Sequence, residues 1–403
     1  MPRSGWIKPA SDRRLSDLIS IGLLTKVFPR DVVDAAIADS GRKEIRNRSL
    51  PARVTAYFAI CMALYSQGSY EEVFSELTDG LSWSTGWSES FKLPCKSALF
   101  QARLRLGAEP LEILFRRVAQ PLAGPDTPGS YLVGKRMVAI DGTCLDLADT
   151  ALNHEHFGRP PSSRGERSAF PQARIAALAE CGTHAICDAA IGPYTTSEIE
   201  LSKELVKRLT PEMIVFCDRG LYGFDLWSSA ASTGADLVFR VKSTISPRHI
   251  ETLSDGSWLG LIKPTSGKGR SQREPFVVRV IDYSLGKEGE NYRLFTTITD
   301  PEAAPGALLA ERYSQRWEIE STFDELKTHQ RGPRAVLRSK SPQLVYQEIW
   351  GHLCCHYAIR SLMAETAGHF GHDPDRISFT AALSIARRSV IRGDFPPGDD
   401  KAG

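Results

Sequence analysis

The sequence predicts an α/β core: a mixed sheet with helices on both faces, a β-rich insertion before its last helix, and helical regions at both ends. Three observations predict it. The first 122 residues and the stretch from Ala307 onward carry apolar residues at helical spacing. The middle of the chain reads as three strands, helix, strand, helix, strand, the grammar of a mixed sheet. One of those strands, EMIVFCD at 212–218, is a short continuous apolar run, suited to a sheet covered on both sides.

Taken in order, RDVVDAAIADS and the long ARVTAYFAICMALYSQGSYEEVFSEL show helical periodicity, and 97–119 divides into two shorter helices. A Pro/Gly-rich seam, PLAGPDTPGSYLVGK, closes a helical domain at 1–122. Strand-like runs follow at 136–147, 173–182 and 184–192, then an amphipathic helix at 197–209. EMIVFCD, a helical FDLWSSAAST and the strand ADLVFRVK complete the first part of the core, 123–243. EPFVVRVIDYSL and NYRLFTTITD alternate as strands do and define a β-rich insertion at 244–302. The core resumes at 303–340 with the helix ALLAERYSQRWEIESTFDELKTH, and 341–403 is a helical C-terminal segment with a disordered tail.

Composition excludes several classes. A formal net charge of +2 leaves no global basic excess, so a nucleic-acid partner must be met by local patches. Two exist: RPPSSRGERSAFPQAR, with Arg164 and Arg167 at its centre, and RGPRAVLRSK at 331–340. Eight cysteines without a CxxC pair, most in apolar runs, read as buried free thiols of a reducing compartment. No apolar span reaches the ~18 residues of a membrane helix, and no secretory leader is visible, so a cytoplasmic protein is expected. The pair His352 and His356 has zinc-compatible spacing, but its helix is otherwise apolar and core histidines are the expected reading.

The chemistry concentrates in YSQRWEIESTFDELK, 313–327. At ~100° per residue, Leu309, Tyr313, Trp317, Ile319 and Phe323 form an apolar arc that also contains Arg316, Glu320 and Lys327. Ser314, Gln315, Glu318, Ser321 and Glu325 fall on the solvated side. Inward charges need pairing, a metal or an oppositely charged partner. One reading is an internal ion pair, since Arg316 and Glu320 stand at i,i+4. The other brings in more acids. Asp141 directly follows MVAI and Asp218 directly follows IVFC, both at strand positions that face the crevice of an open α/β sheet. With Glu320 they can form a three-carboxylate cluster, which repels itself unless cations neutralise it; all-oxygen ligation favours Mg²⁺ or Mn²⁺.

These residues resemble a known family. Tyr313, Arg316, Glu320 and Lys327 reproduce the Y-(2)-R-(3)-E-(6)-K signature of the IS4 family of insertion-sequence transposases, DDE recombinases with an RNase H-like core. Asp218-Arg219-Gly220-Leu221-Tyr222 resembles the pattern around that family's second aspartate, Asp141-Gly142-Thr143 the first, and Ser168-Ala-Phe-Pro-Gln172 the loop between them. The helical N-terminal region is similar to that of the same transposases. The resemblance implies two-metal phosphoryl transfer on DNA with Asp141, Asp218 and Glu320 as catalytic metal ligands for two Mg²⁺ or Mn²⁺ ions. It also implies Tyr313, Arg316, Lys327, Arg219, Tyr222, Arg164 and Arg167 as DNA-facing or supporting residues. The expected partners are double-stranded DNA, as element ends and target, and a second copy of the chain, because two ends are cut together. A nuclease of the same fold that cuts without joining is one alternative; a catalytically silent DNA-binding descendant is another, and it predicts a lost carboxylate where none is missing.

Overall fold

The computed structural model describes residues 22–45, 50–85, 94–161, 170–264, 274–285, 290–332 and 336–392. They divide into two units: Met1–Leu122, Leu145–Ala173 and Phe323–Gly403 in one, Ala123–Cys144 and Arg174–Thr322 in the other.

The N-terminal region gives α1 (Gly22–Val27), α2 (Arg30–Asp39), α3 (Ala52–Leu64), α4 (Tyr70–Thr85), α5 (Lys96–Leu106) and α6 (Glu109–Val118). The run that periodicity reads as one long helix is thus two, α3 and α4. Ser69 separates them: its hydroxyl accepts the Glu72 N–H at 3.2 Å while Glu72 accepts the Ser69 N–H at 2.6 Å, a capping box that starts a new helix. After the seam come β1 (Tyr131–Leu132), β2 (Lys135–Asp146), α7 (Ala151–Phe157), β3 (Gln172–Glu180), β4 (Ile186–Pro193), α8 (Glu198–Val206), β5 (Met213–Cys217), α9 (Phe224–Ala231) and β6 (Asp236–Val241). The insertion holds β7 (Arg248–Thr252), β8 (Trp258–Ile262), β9 (Phe276–Leu285) and β10 (Glu290–Thr296), of which the sequence announced only the last two. α10 (Gly306–Tyr313), α11 (Trp317–Asp324), α12 (Pro342–Phe370) and α13 (Phe379–Arg392) follow.

All the strands among the described residues join one sheet, in the order β4-β3-β2-β5-β6-β10-β9-β8-β7 with β1 beside β2. The sheet is mixed: β5 runs parallel to both β2 and β6, and β10 pairs antiparallel to β6. The insertion therefore extends the sheet as an antiparallel meander. Helices cover both faces. Val138, Ile140, Val215, Cys217, Leu237 and Phe239 pack against Leu201, Leu205, Leu226 and Trp227 of α8 and α9. On the other face, Phe216 lies against the ring of Tyr313 at the end of α10, centroids 6.3 Å apart. Double coverage is why MVAI and IVFC are unbroken apolar runs.

In the helical unit, α3 is buried from Val54 to Leu64 and packs along α12. The approach is close at Gly351 of α12, where a Cβ would lie 2.6 Å from the Ala59 carbonyl oxygen, a backbone atom that cannot step aside. The eight cysteines are all free, and six are buried as expected; Cys95 is exposed and Cys144 half-buried. No helix among the described residues is long and apolar enough to cross a membrane. Gly351→Ala is expected to lower unfolding free energy by roughly 1–3 kcal/mol through overpacking, read as a fall in the urea midpoint with an unchanged m-value.

Candidate active site

β2 and β5 run parallel with Ile140 opposite Cys217. The next residues, Asp141 and Asp218, therefore emerge at one level on neighbouring strands, with backbones about 5 Å apart. Their pleat positions share a face with Ala139 and Phe216, the face covered by Tyr313. Asp218 stands just past the end of β5, while β2 continues to Asp146. The Gly142 N–H donates to Asp141 Oδ1 at 2.8 Å and fixes its carboxylate.

Glu320 reaches the same cluster through a cation. α10 ends at Tyr313, a 3-10 turn spans Ser314–Arg316, and α11 begins at Trp317. Arg316, its side chain only 4% exposed, donates to Asp141 Oδ2 at 3.1 Å and to Glu320 Oε1 at 3.0 Å. The i,i+4 pair thus exists, and it is half of a bridge. The Tyr313 hydroxyl donates toward Asp218 Oδ1 and the Cys217 carbonyl, each at 3.4 Å. Arg240 of β6 stands 3.8 Å from Asp218 Oδ1, its guanidinium 4.1 Å from the centre of the Tyr292 ring.

The electrostatics follow from this crowding. Burial raises the Asp141 carboxyl to about 6; the Gly142 N–H and Arg316 pull it down, while Glu198 and Asp218 push it up. Glu198, first residue of α8, is likewise raised by burial, with Arg174 opposing and Asp218 adding. Burial acts most on Arg316 too, lowering it, but Tyr313, Asp218, Glu320 and Asp141 outweigh that and raise it, so it is a permanent cation. Tyr313 is raised by burial and keeps its proton.

The remaining sequence candidates distribute differently. Arg219 is exposed on the turn after Asp218. Tyr222 packs edge-on against Phe295 and Trp227, and burial pushes its hydroxyl up to about 12: it lies half-buried against the core. Lys327 lies half-buried on a π-turn, Glu325–His329. Arg164 and Arg167 lie outside the described residues. In the second basic stretch, Arg331 is buried and Arg338 donates to the carbonyls of Met62, Ser66 and Gly68, so these two arginines tie the chain together and form no open rail.

Three readings of the helix face need correction. Trp317, expected in the apolar arc, is 58% exposed. The 3-10 turn before it advances about 120° per residue, three residues to a turn, so its phase is rotated outward by roughly 60°. Glu318 is not on the solvated side: it accepts the Gly182 N–H and stands near His184. Glu325 is buried and bonded to Arg360 and to His356. His352 and His356 are core histidines as expected, His356 occupied by Glu325 and His352 beside Gln330.

Two neighbours of the carboxylates went unnoticed in the sequence. Arg240 carried a signal, a lone charge inside the apolar strand ADLVFRVK. Glu198 carried only that of an ordinary acidic first turn behind a Ser197 cap.

Asp141 within β2, Asp218 just past the parallel β5 and Glu320 on the adjoining helix form the arrangement of acids expected of a DDE enzyme. Comparison with known proteins agrees. Residues 18–116 match the family described as insertion element 4 transposase N-terminal, and residues 133–358 match the transposase DDE domain. The transposase InsG for insertion sequence element IS4, from Escherichia coli (strain K12), is 28% identical over 365 residues, 90% of this chain and 81% of that one. The putative transposase InsZ of the same strain is 26% identical over 226 residues, 56% of this chain and 73% of its own. A cryo-EM structure of piggyBac transposase in a synaptic complex with hairpin DNA aligns with a TM-score of 0.49 and 11% identity, over 94% of this chain and 81% of the other; at that level the likeness carries no inference. The chain belongs to the IS4 family of DDE transposases and is a DNA transposase.

The raised Asp141 carboxyl makes a stability prediction. Its folded-state value, about 6, lies above its ordinary 3.8, so the folded state binds the extra proton. The stability this carboxyl contributes is full below 3.8 and is lost as pH rises through 6. Without divalent metal, Asp141→Asn is therefore expected to be more stable than the parent at pH 8, by on the order of 1–3 kcal/mol. The gain should fade between pH 6 and 4, as followed by thermal melts in EDTA.

Proposed function

We propose that the protein cleaves DNA at insertion-sequence ends and joins the freed 3′ ends to target DNA by divalent-metal-dependent, in-line phosphoryl transfer. Asp141, Asp218 and Glu320 are the metal ligands in this reading. The observation that carries it is the Arg316 bridge: one buried guanidinium ties the strand acid Asp141 to the helix acid Glu320, beside Asp218 on the adjoining strand. The donor set fits a hard divalent cation, being all carboxylate oxygen from rigid elements. When bound, two such ions supply Lewis-acid activation of the attacking water or 3′-hydroxyl and stabilise the leaving oxygen.

The chain's own residues do the rest. The Gly142 N–H orients the Asp141 carboxylate, and Tyr313 and Arg240 orient Asp218. Arg316 neutralises the acids in the metal-free protein and turns to a DNA phosphate when cations take over that task; Lys327 pairs phosphate as a point charge. Tyr222 supports the turn that presents Asp218, and Arg219 faces the backbone of the DNA with Arg164 and Arg167. The domain at 1–122 binds the element ends, and two copies act together on them.

Purified protein, end DNA and Mg²⁺ should give nicked and then joined products. Asp141→Ala, Asp218→Ala and Glu320→Ala should each lower cleavage by ~10³-fold or more while leaving end binding within a few-fold. EDTA should stop cleavage by the parent without releasing the DNA. Parent-like cleavage by Glu320→Ala removes Glu320 from the ligand set; cleavage with no joined product from a pre-nicked end makes the protein a nuclease.

A further inference from the structure

Helix α10 runs from the insertion to the strands of the candidate site. Its first residue, Gly306, lies over β9: a Cβ there would stand 3.4 Å from Ile281 Cγ2 and 3.6 Å from Arg279 Nη2. Its last, Tyr313, lies against Phe216 of β5 and directs its hydroxyl toward Asp218. β6 and β10 separate β5 from β9 in the sheet, so the two are three strand spacings apart, ~14 Å. The 8 residues of α10 make a helix ~12 Å long. One end of the helix is thus set by the insertion and the other meets the acids.

A buried ion pair fixes the end on the insertion. Arg279 of β9 has a side chain with 0% exposure and pairs with Asp255, which lies in the turn from β7 to β8. The guanidinium also donates to the Ser257 hydroxyl at 2.8 Å, to the Ala304 carbonyl at 2.7 Å, and to the carbonyls of Asp300 and Ile298 at 3.3 and 3.4 Å. Asp255 Oδ2 in turn accepts the N–H of Gly306 at 2.8 Å. Burial works against the charge on Asp255, but the Ser257 hydroxyl, the Gly306 and Ser257 N–H groups and Arg279 outweigh it and hold the carboxyl down to about 2.

For stability alone, apolar side chains of similar volume often fill such a place as well as a buried ion pair does. What the guanidinium adds is direction. Its planar fork holds three carbonyls of the connection between β10 and α10, and its partner carboxylate holds the first N–H of the helix. Connection and helix start therefore have one position on β9. All of these residues belong to the sheet-bearing unit.

We propose that Arg279 and Asp255 are positioning residues for the reaction. They fix the start of α10 on the insertion and thereby set where Tyr313, at its other end, meets Asp218, and where Arg316, one turn further on, meets Asp141. The inference rests on the DNA-cleavage reading of the site and gives the insertion a task within it, as the abutment from which α10 reaches the acids.

The test compares Arg279→Met, Arg279→Lys and Asp255→Asn with the parent, all as full chains. Circular dichroism melts give the folded fraction at the assay temperature, fluorescence anisotropy gives end-DNA binding, and single-turnover cleavage at saturating end DNA with Mg²⁺ gives the rate per folded molecule. Arg279→Met and Asp255→Asn are expected to lower that rate on the order of 10²-fold, the effect of misplacing reacting groups by ~1 Å, with end binding within a few-fold of the parent. Arg279→Lys keeps the charge and loses the fork, so it should recover part of the rate; with Asp255→Asn it carries the test should Arg279→Met fail to fold. Parent-like rates per folded molecule, however low the melting temperatures, make the pair a support of the fold alone and overturn the inference. A loss confined to end binding overturns it too, because it places these residues on the DNA and not behind α10. A parent that does not cleave end DNA removes the reading of the site, and the inference with it.

Discussion

Negative charge gathered where β2 passes the end of β5 is the constraint that organises the sheet-bearing unit. Asp141 and Asp218 directly follow the paired residues Ile140 and Cys217, so their backbones stay side by side while burial and like charge both oppose ionisation of Asp141. Relief has to come from outside the strands. Arg316 provides it: a planar fork can donate to two carboxylates on two different elements at once, whereas a lysine offers one point charge to share between them. Arg240 and the Tyr313 hydroxyl do for Asp218 what Arg316 does for Asp141.

The position of the acids follows from the same sheet. Strands covered on both faces admit only apolar side chains along their length, and an acid finds water only where the strand comes out from between its helices. MVAI and IVFC are each four residues of that kind, and the carboxylate follows at once in both. Because the pairing is parallel, equal apolar runs bring both acids out at the same end. An antiparallel partner would have sent the second acid to the opposite edge.

This is also why the candidate acids stand out in the sequence. Apolar runs ended by Asp141 and Asp218 are a one-dimensional record of a three-dimensional edge, and the spacing of Tyr313, Arg316, Glu320 and Lys327 records one helix. What escaped depended on departures from ideal geometry or on contacts between distant segments. The burial of Glu325 comes from Arg360 and His356 on α12, which no local periodicity encodes. Trp317 escaped because a uniform 100° step was carried across a 3-10 turn. Tyr222 sits at a position where the family pattern and core packing ask for the same aromatic residue, and only the structure separates them. β7 and β8 are short and half exposed, with no sustained alternation to read.

The change of helix type around Glu320 has a consequence for its rigidity. Arg316 precedes it by four residues and is buried among the acids of the sheet-bearing unit. Glu325 follows it by five and is buried against Arg360 and His356 in the helical unit. A 3-10 turn ends at Arg316 and a π-turn begins at Glu325. Breaking either buried pair would leave an uncompensated charge, a penalty of about 3–5 kcal/mol. Glu320 is 43% exposed, so its side chain can turn away from Arg316 while that guanidinium stays paired with Asp141.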